Sequence, residues 1–343
     1  MIYYSVFAAL SLFLLVFHEI HERKWLLYIL LFLAFLFSAL RYDAGYDYFS
    51  YYNYMMSVEG ARFNDLEFFN KHLTDLAIKY EAPQFYFFVT SLLYVSFMTL
   101  GFNRLNRLDS ITLVMFVFFI GSYLTSFDII RQMVAVSILF YATARLVSKS
   151  YLSSIFFAAI AYGFHRSAVI FIIIFLFVIV LSNRKYRFVI YAAAFAASFF
   201  MLDVVAAVLN YFDLYSSYIN RGGNDTGGKI YLMLCFMVLA LLFFSRKGEV
   251  TDRFWVYFNL FFLGFLIYTV FLPYGYFVTR ISYFLFPWGF VAFSELIESV
   301  DKNKWFLKVG VYAFSLLIFC LTLYMSSSLP REPYLNYNFY FMR

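Results

Sequence analysis

The chain alternates long apolar runs with short polar punctuation. Runs fall at 2–18, 25–40, 84–100, 109–127, 129–147, 151–164, 167–182, 188–209, 229–245, 254–272, 281–297 and 305–325. A helix needs about 20 mostly apolar residues to cross a bilayer. The runs are continuous, as in the stretch from Leu26 to Leu40, whereas the strands of a membrane barrel alternate polar and apolar positions. The pattern predicts an all-α polytopic protein of about twelve transmembrane helices. It forms a single integral membrane domain over 1–343, with a long extracytoplasmic loop at 41–83. The runs between 151 and 182 are short enough to be broken or tilted, and 127–131 leaves almost no loop. Inside the long loop, Phe63, Leu66, Phe69, Leu73, Leu76 and Tyr80 recur at helical spacing, with Asp65, Glu67, Lys71 and Asp75 between them. That spacing predicts a short amphipathic helix on the outer surface; a packed lid over the helix ends fits it equally. No internal repeat is evident.

Composition narrows the class. Hydrophobic types make up 64% of the 343 residues and charged types 13%, about half the ~25% of a soluble domain. The mean hydropathy of +0.78 excludes a water-soluble globule. Fifty Phe and 32 Tyr against five Pro exclude Pro-rich disorder. The net charge of +6 speaks to topology, not to nucleic acid. With Met1 outside, fifteen Lys and Arg fall in inside loops and five in the short outside connections. That bias predicts both termini outside. The first run lacks a basic start and a small-residue cleavage site, so it is expected to be a retained helix. Cys235 and Cys320 sit in apolar runs and read as packing residues.

The charge count exposes an oddity. Arg41, Arg131, Arg166, Arg221 and Arg280 all fall at outside helix ends, where topology disfavours them. Arginine binds phosphate or carboxylate through two parallel hydrogen bonds. Five arginines on one face would make an anion site; snorkelling at helix ends is the ordinary alternative. Arg131, within Asp128-Ile-Ile-Arg131, is flanked by apolar residues and should pair with Asp128 or a ligand.

The long loop opens with Arg41, Asp43, Gly45, Asp47, Tyr48, Tyr51 and Tyr52. It gathers carboxylates, an arginine and phenols, whose ring faces can stack on sugars; an interfacial tyrosine belt is the plainer reading. Of four histidines, His165 stands out in Tyr162-Gly163-Phe164-His165-Arg166-Ser167-Ala168, at the junction of two runs. A histidine at a helix break beside an arginine suits general-base work. No second histidine lies at ligand spacing, so no metal site is expected. There is no phosphate-binding glycine loop and no G-x-S-x-G. The glycine-rich stretch from Arg221 to Gly228 reads as an outer loop.

The motif Arg41…Gly45-x-Asp47-Tyr48-x-x-Tyr51 resembles the signature of the EpsG family, a branch of the Wzy-type polysaccharide polymerases. Glu81-Ala-Pro83-Gln-Phe85-Tyr86, Ile130-Arg131-Gln132, Phe164-His165-Arg166-Ser167-Ala168 and Arg280-Ile-Ser-Tyr283-Phe284 fit the same pattern in order, from about 41 to 290. The resemblance implies an architecture like GT-C glycosyltransferases or Wzy polymerases and ligases. It implies a bacterial cytoplasmic-membrane enzyme that polymerises polyprenyl-pyrophosphate-linked repeat units at the outer face, into O-antigen, capsule or exopolysaccharide. Its partners would be lipid-linked glycans and membrane lipids, with room for a chain-length regulator and a flippase. No cofactor and no nucleic acid are implied. On this reading Arg131, Arg166 and Arg280 meet pyrophosphate, while Arg41, Asp43, Asp47, Tyr48 and Tyr51 hold the acceptor sugar or order the loop. Tyr283 joins the substrate contacts, and His165 is the first choice of base, with Asp47 second. A lipid-linked-oligosaccharide flippase and an O-antigen ligase are the alternatives.

Overall fold

The computed structural model describes residues 2–58, 65–105, 107, 122–211, 228–246, 250–299, 304–326, 334 and 336–342. The run at 109–127, apart from its last six residues, lies outside them. So do Phe63 and the stretch 221–227 with Arg221.

Helices coincide with the apolar runs. They are α1 (Ile2–His21), α2 (Lys24–Ala39), α3 (Tyr48–Met55), α4 (Phe68–Lys79), α5 (Pro83–Arg104), α6 (Ser122–Asp128), α7 (Ile130–Val147) and α8 (Tyr151–Phe164). They continue as α9 (Phe171–Val180), α10 (Phe188–Tyr211), α11 (Gly228–Ser245), α12 (Asp252–Phe271), α13 (Tyr276–Thr279), α14 (Phe286–Glu298) and α15 (Lys304–Ser326). Among the described residues, five helices are long and apolar enough to cross a membrane, namely α1, α5, α7, α12 with its following turn, and α15 within Trp305–Tyr324. Shorter apolar helices occupy the runs at 25–40, 151–164, 167–182, 188–209 and 229–245. The chain is thus an α-helical membrane protein.

Local chemistry sets the ends. Pro83 opens α5 at a position where its missing N–H costs nothing. Ile129 alone, at φ −125° and ψ 62°, separates α6 from α7. The expected break in the 151–182 pair is present. His165 is extended, and a 3₁₀ turn from Arg166 to Ile170 precedes α9.

The chain divides into two compact units, Met1–Val169 with Phe306–Arg343, and Ile170–Trp305. In the first, α7 is the hub, packed between α5 and α8, while α2 packs on α5 and α1 on α2. Small residues on α7, including Ala135, Ser137, Ala142 and Ala144, are fully buried and let neighbouring backbones approach. In the second unit α12 is the hub, packed against α10, α11 and α14.

One feature departs from a purely helical reading. Arg41–Tyr42 (β1) pairs antiparallel with Asn338–Phe339 (β2), with Arg41 opposite Phe339. The Tyr337 ring stacks on Phe37 at 4.3 Å and its hydroxyl donates to the Phe37 carbonyl at 2.8 Å. The C-terminal segment is thereby fastened to the start of the long loop.

Candidate active site

The site is built where the long loop folds back over α5, α7 and α8. The loop leaves α2 through β1 and turns at Gly45, whose φ is +94°. A Cβ there would lie 2.2 Å from the Phe127 carbonyl oxygen, so only glycine fits this turn. Helix α3 follows. Its buried residues Tyr48, Tyr51, Tyr52 and Met55 form one helical stripe against Tyr86 and Phe87 of α5. Tyr48 stacks on Phe87 at 4.4 Å and Tyr51 on Tyr86 at 4.8 Å. Both phenols, held among rings, are pushed well above the ordinary tyrosine range by burial. This packing fits the loop-ordering role, one of the two expected for Tyr48 and Tyr51.

Arg41 fits the same role. It is 1% exposed, and its guanidinium donates to the carbonyls of Ala44 and Ser38 and to the hydroxyls of Ser38 and Ser91. Its flat faces lie 4.6 Å from the Phe127 ring centre and 5.1 Å from that of Phe87. The cavity beside it measures 10 Å³, room for about one water and none for a sugar or phosphate. Of the two roles expected for Arg41, these contacts fit the ordering of the loop. Its fork is consumed by the backbone turn that it holds.

Arg131 differs from expectation. Its Nη1 donates to Glu67 Oε2 at 2.7 Å. Asp128 instead accepts from the Tyr46 backbone N–H at 3.1 Å and from the Tyr334 hydroxyl. Glu67 bridges further, its Oε1 lying 2.8 Å from His165 Nδ1. The carboxylate side chain is 7% exposed, while Arg131 and His165 are 25% and 23% exposed. An acid from the long loop thus ties together two candidate residues, one in the first turn of α7 and one just past the end of α8.

The electrostatics fix the protonation pattern. Burial alone would raise the Glu67 carboxyl, but the His165 hydrogen bond and the Arg131 charge outweigh it and hold it at about 2. An ionised carboxylate only accepts hydrogen bonds. His165 Nδ1 must therefore carry the proton, and in the neutral ring the lone pair sits on Nε2. Such a histidine can accept a proton from a hydroxyl, and Glu67 stabilises the imidazolium that results.

Supporting contacts hold this geometry. Asn70 of α4 donates to the Phe164 carbonyl, one residue before His165, at 2.5 Å. Tyr86 donates in turn to Asn70 Oδ1 at 3.1 Å. Gly163 lets the Phe69 ring sit on α8, since a Cβ there would lie 2.5 Å from ring carbons. Helix α4 buries Asn70, Thr74 and Ala77, continuing the face of Glu67, and leaves Phe68, Leu76 and Tyr80 exposed. Its protein-facing side therefore mixes these polar groups with Ala77 and with the partly buried Leu73 and Ile78, while Lys71, His72, Asp75 and Lys79 are exposed. It packs on α5 and α8 as a lid.

Glu67 was not among the sequence candidates. A signal was available, because Glu67, Asn70 and Thr74 fall on one helical face at spacings of three and four. Apolar residues dominate the spacing there and mask that face. Asp47 is half-buried at the start of α3, and its charge acts on Tyr51. Asp43, at φ +54°, is half-buried and its carboxyl is raised by burial. Arg166 lies 3.8 Å from Asp65, both well exposed. Arg280 and Tyr283 belong to the second unit, where Tyr283 is buried with its ring 4.9 Å from Phe286. Among the described residues, no three His, Cys, Asp or Glu side chains are placed to hold a metal ion.

A family model described as the EpsG family matches residues 24–339. The chain belongs to the EpsG family. Neither a curated protein nor a solved structure matches it. EpsG proteins are Wzy-type polysaccharide polymerases, so a polymerase-like activity in polysaccharide synthesis applies to this chain in general terms. The family match spans the Glu67, Arg131 and His165 cluster and the paired strands β1 and β2.

Proposed function

We propose that this EpsG protein polymerises polyprenyl-pyrophosphate-linked oligosaccharide repeat units at the outer face of a bacterial cytoplasmic membrane. Both termini lie outside on this reading. The growing glycan leaves its lipid carrier and joins the non-reducing end of an incoming repeat unit. The bond from the anomeric carbon to the pyrophosphate oxygen breaks, and a bond from that carbon to the acceptor oxygen forms. The acceptor proton passes to His165 Nε2, and the lipid pyrophosphate departs with the electron pair. The observation that carries this reading is the Glu67 bridge between His165 and Arg131, in a chain of this family.

Each group has a role in that step. Glu67 sets the tautomer of His165 and stabilises its charged form as the proton arrives. A sugar hydroxyl has a pKa far above 7, so His165 assists as the transition state forms and does not make a free alkoxide. Arg131, beside its pair with Glu67, brings a lasting positive charge that suits the phosphate oxygens on which charge develops. Arg166 and Arg280 are further candidates for pyrophosphate, and Asp43 and Asp47 for acceptor hydroxyls.

Purified protein mixed with the host's lipid-linked repeat unit, in EDTA and without nucleotide, should give a product ladder spaced by one unit. His165→Ala should abolish the ladder. No ladder from folded protein, with the substrate merely crossing liposomes, would replace this reading with a flippase.

A further inference from the structure

The second unit holds a cavity that this reaction does not use. It measures 360 Å³, and three cations, Lys185, Arg187 and Arg246, surround a floor of Phe188, Tyr191 and Trp255. No carboxylate lines it among the described residues. Three like charges around one space repel one another, and an anion removes that repulsion.

The cavity wall is built, not incidental. Asn259, 2% exposed on α12, donates to the carbonyls of Ser182 and Arg184, each at 2.8 Å. Its own oxygen accepts from Tyr191 at 2.7 Å. One buried amide therefore pins the turn between α9 and α10 that carries Lys185 and Arg187. Rings station two of the cations. Lys185 Nζ lies 5.1 Å from the centre of Trp255, and Arg246 lies 5.0 Å from that of Phe188. Ring faces attract the cations without consuming their N–H donors.

The surroundings choose the source of the anion. The cavity opens at helix ends, between the turn at 185–187, the last turn of α11 and the first turns of α10 and α12. The charge bias assigns these loops to the cytoplasmic side, at headgroup level. Next to the cavity, Val189, Phe243 and Phe244 are exposed apolar residues. A soluble phosphate has no use for them, whereas acyl chains do. We propose that this cavity binds the phosphate of an anionic phospholipid headgroup, with the lipid tails along the adjoining faces of α10 and α11. Basic pockets between membrane helices on the cytoplasmic side are suited to such lipids.

The test is native mass spectrometry of the full chain in detergent, with added phosphatidylglycerol or phosphatidylcholine. The wild type should retain phosphatidylglycerol at least about tenfold better. The triple variant K185Q/R187Q/R246Q should lose that preference while eluting as the wild type does. R246Q alone should weaken retention and R246K should preserve most of it, which separates charge from misfolding. Equal retention of phosphatidylglycerol by wild type and triple variant would overturn the proposal. So would equal retention of the two lipids by wild type, or displacement of phosphatidylglycerol by millimolar inorganic phosphate.

Discussion

Arg41 and Arg131 make a natural pair. Both are arginines at helix ends near the long loop, and both help to hold it. Arg41 is 1% exposed and gives its donors to carbonyls, serines and ring faces. Arg131 is a quarter exposed and faces a carboxylate that also holds a histidine. Residue type and topological position are the same; the partners differ. An arginine whose partners are carbonyls and rings holds a backbone in place. One that shares a carboxylate with a titratable ring at the edge of solvent is equipped for chemistry.

The largest expected effect separates the two arginines. Arg131→Gln combined with Glu67→Gln should abolish polymer while the protein stays folded in the membrane, because both charges are removed together. Removing Arg131 alone leaves a buried carboxylate underpaired, a loss worth up to about 3–5 kcal/mol when a pair is fully buried. Arg41→Lys should instead lower the amount of folded protein, since an ammonium cannot reproduce the flat fork between Phe87 and Phe127. Normal chain length from the Arg131/Glu67 double variant would break the comparison.

Glu67→Gln comes next. It removes the charge that sets the His165 tautomer, so turnover should fall by roughly 10²–10⁴-fold, the usual worth of general-base assistance. The pH dependence of the residual rate should change with it. A variant that keeps the wild-type rate would assign Glu67 to packing alone.

Gly163→Ala should cost about 1–3 kcal/mol by forcing the Phe69 ring off α8. Thermal melting in detergent would show it. Adding Phe69→Ala should recover activity if the harm is the displacement of the lid.

A smaller effect follows from the Glu67 carboxyl. Its folded value of about 2 lies below the unfolded value of about 4.3. The stabilisation is therefore complete above about pH 4.3 and is lost as pH falls from there through about 2. Melting temperatures across that window should fall less steeply in Glu67→Gln. The smallest change is expected for Asp65→Asn. Its exposed pair with Arg166, at 3.8 Å, should contribute well under about 1 kcal/mol.

Much of the helix framework was legible because membrane spans are written locally. The run at 151–164 coincides with α8, and the break before the next helix falls at His165 as the short runs implied. The partners of the charged groups were not legible. Glu67 meets His165 across 98 residues of sequence and Arg131 across 64, distances at which no spacing rule applies. The partners of Arg41 were hidden for a related reason. Its neighbours in sequence are loop residues, but Phe87, Ser91 and Phe127, which surround it, come from α5 and α6. The strand pair was hidden because two residues on each side carry no periodicity.

The strand pair also sets a clock. Arg41 leaves the ribosome roughly 300 residues before Phe339, its partner in the ladder. At about 5–20 residues per second, that interval is about 15–60 s. Throughout it, β1 has no strand to pair with, and neither Phe37 nor Asp128 has its tyrosine from the tail. The first part of the long loop to be made is thus among the last to be closed. A chain stopped short of Tyr334 would carry Glu67, Arg131 and His165 with a loop that lacks its C-terminal fastening.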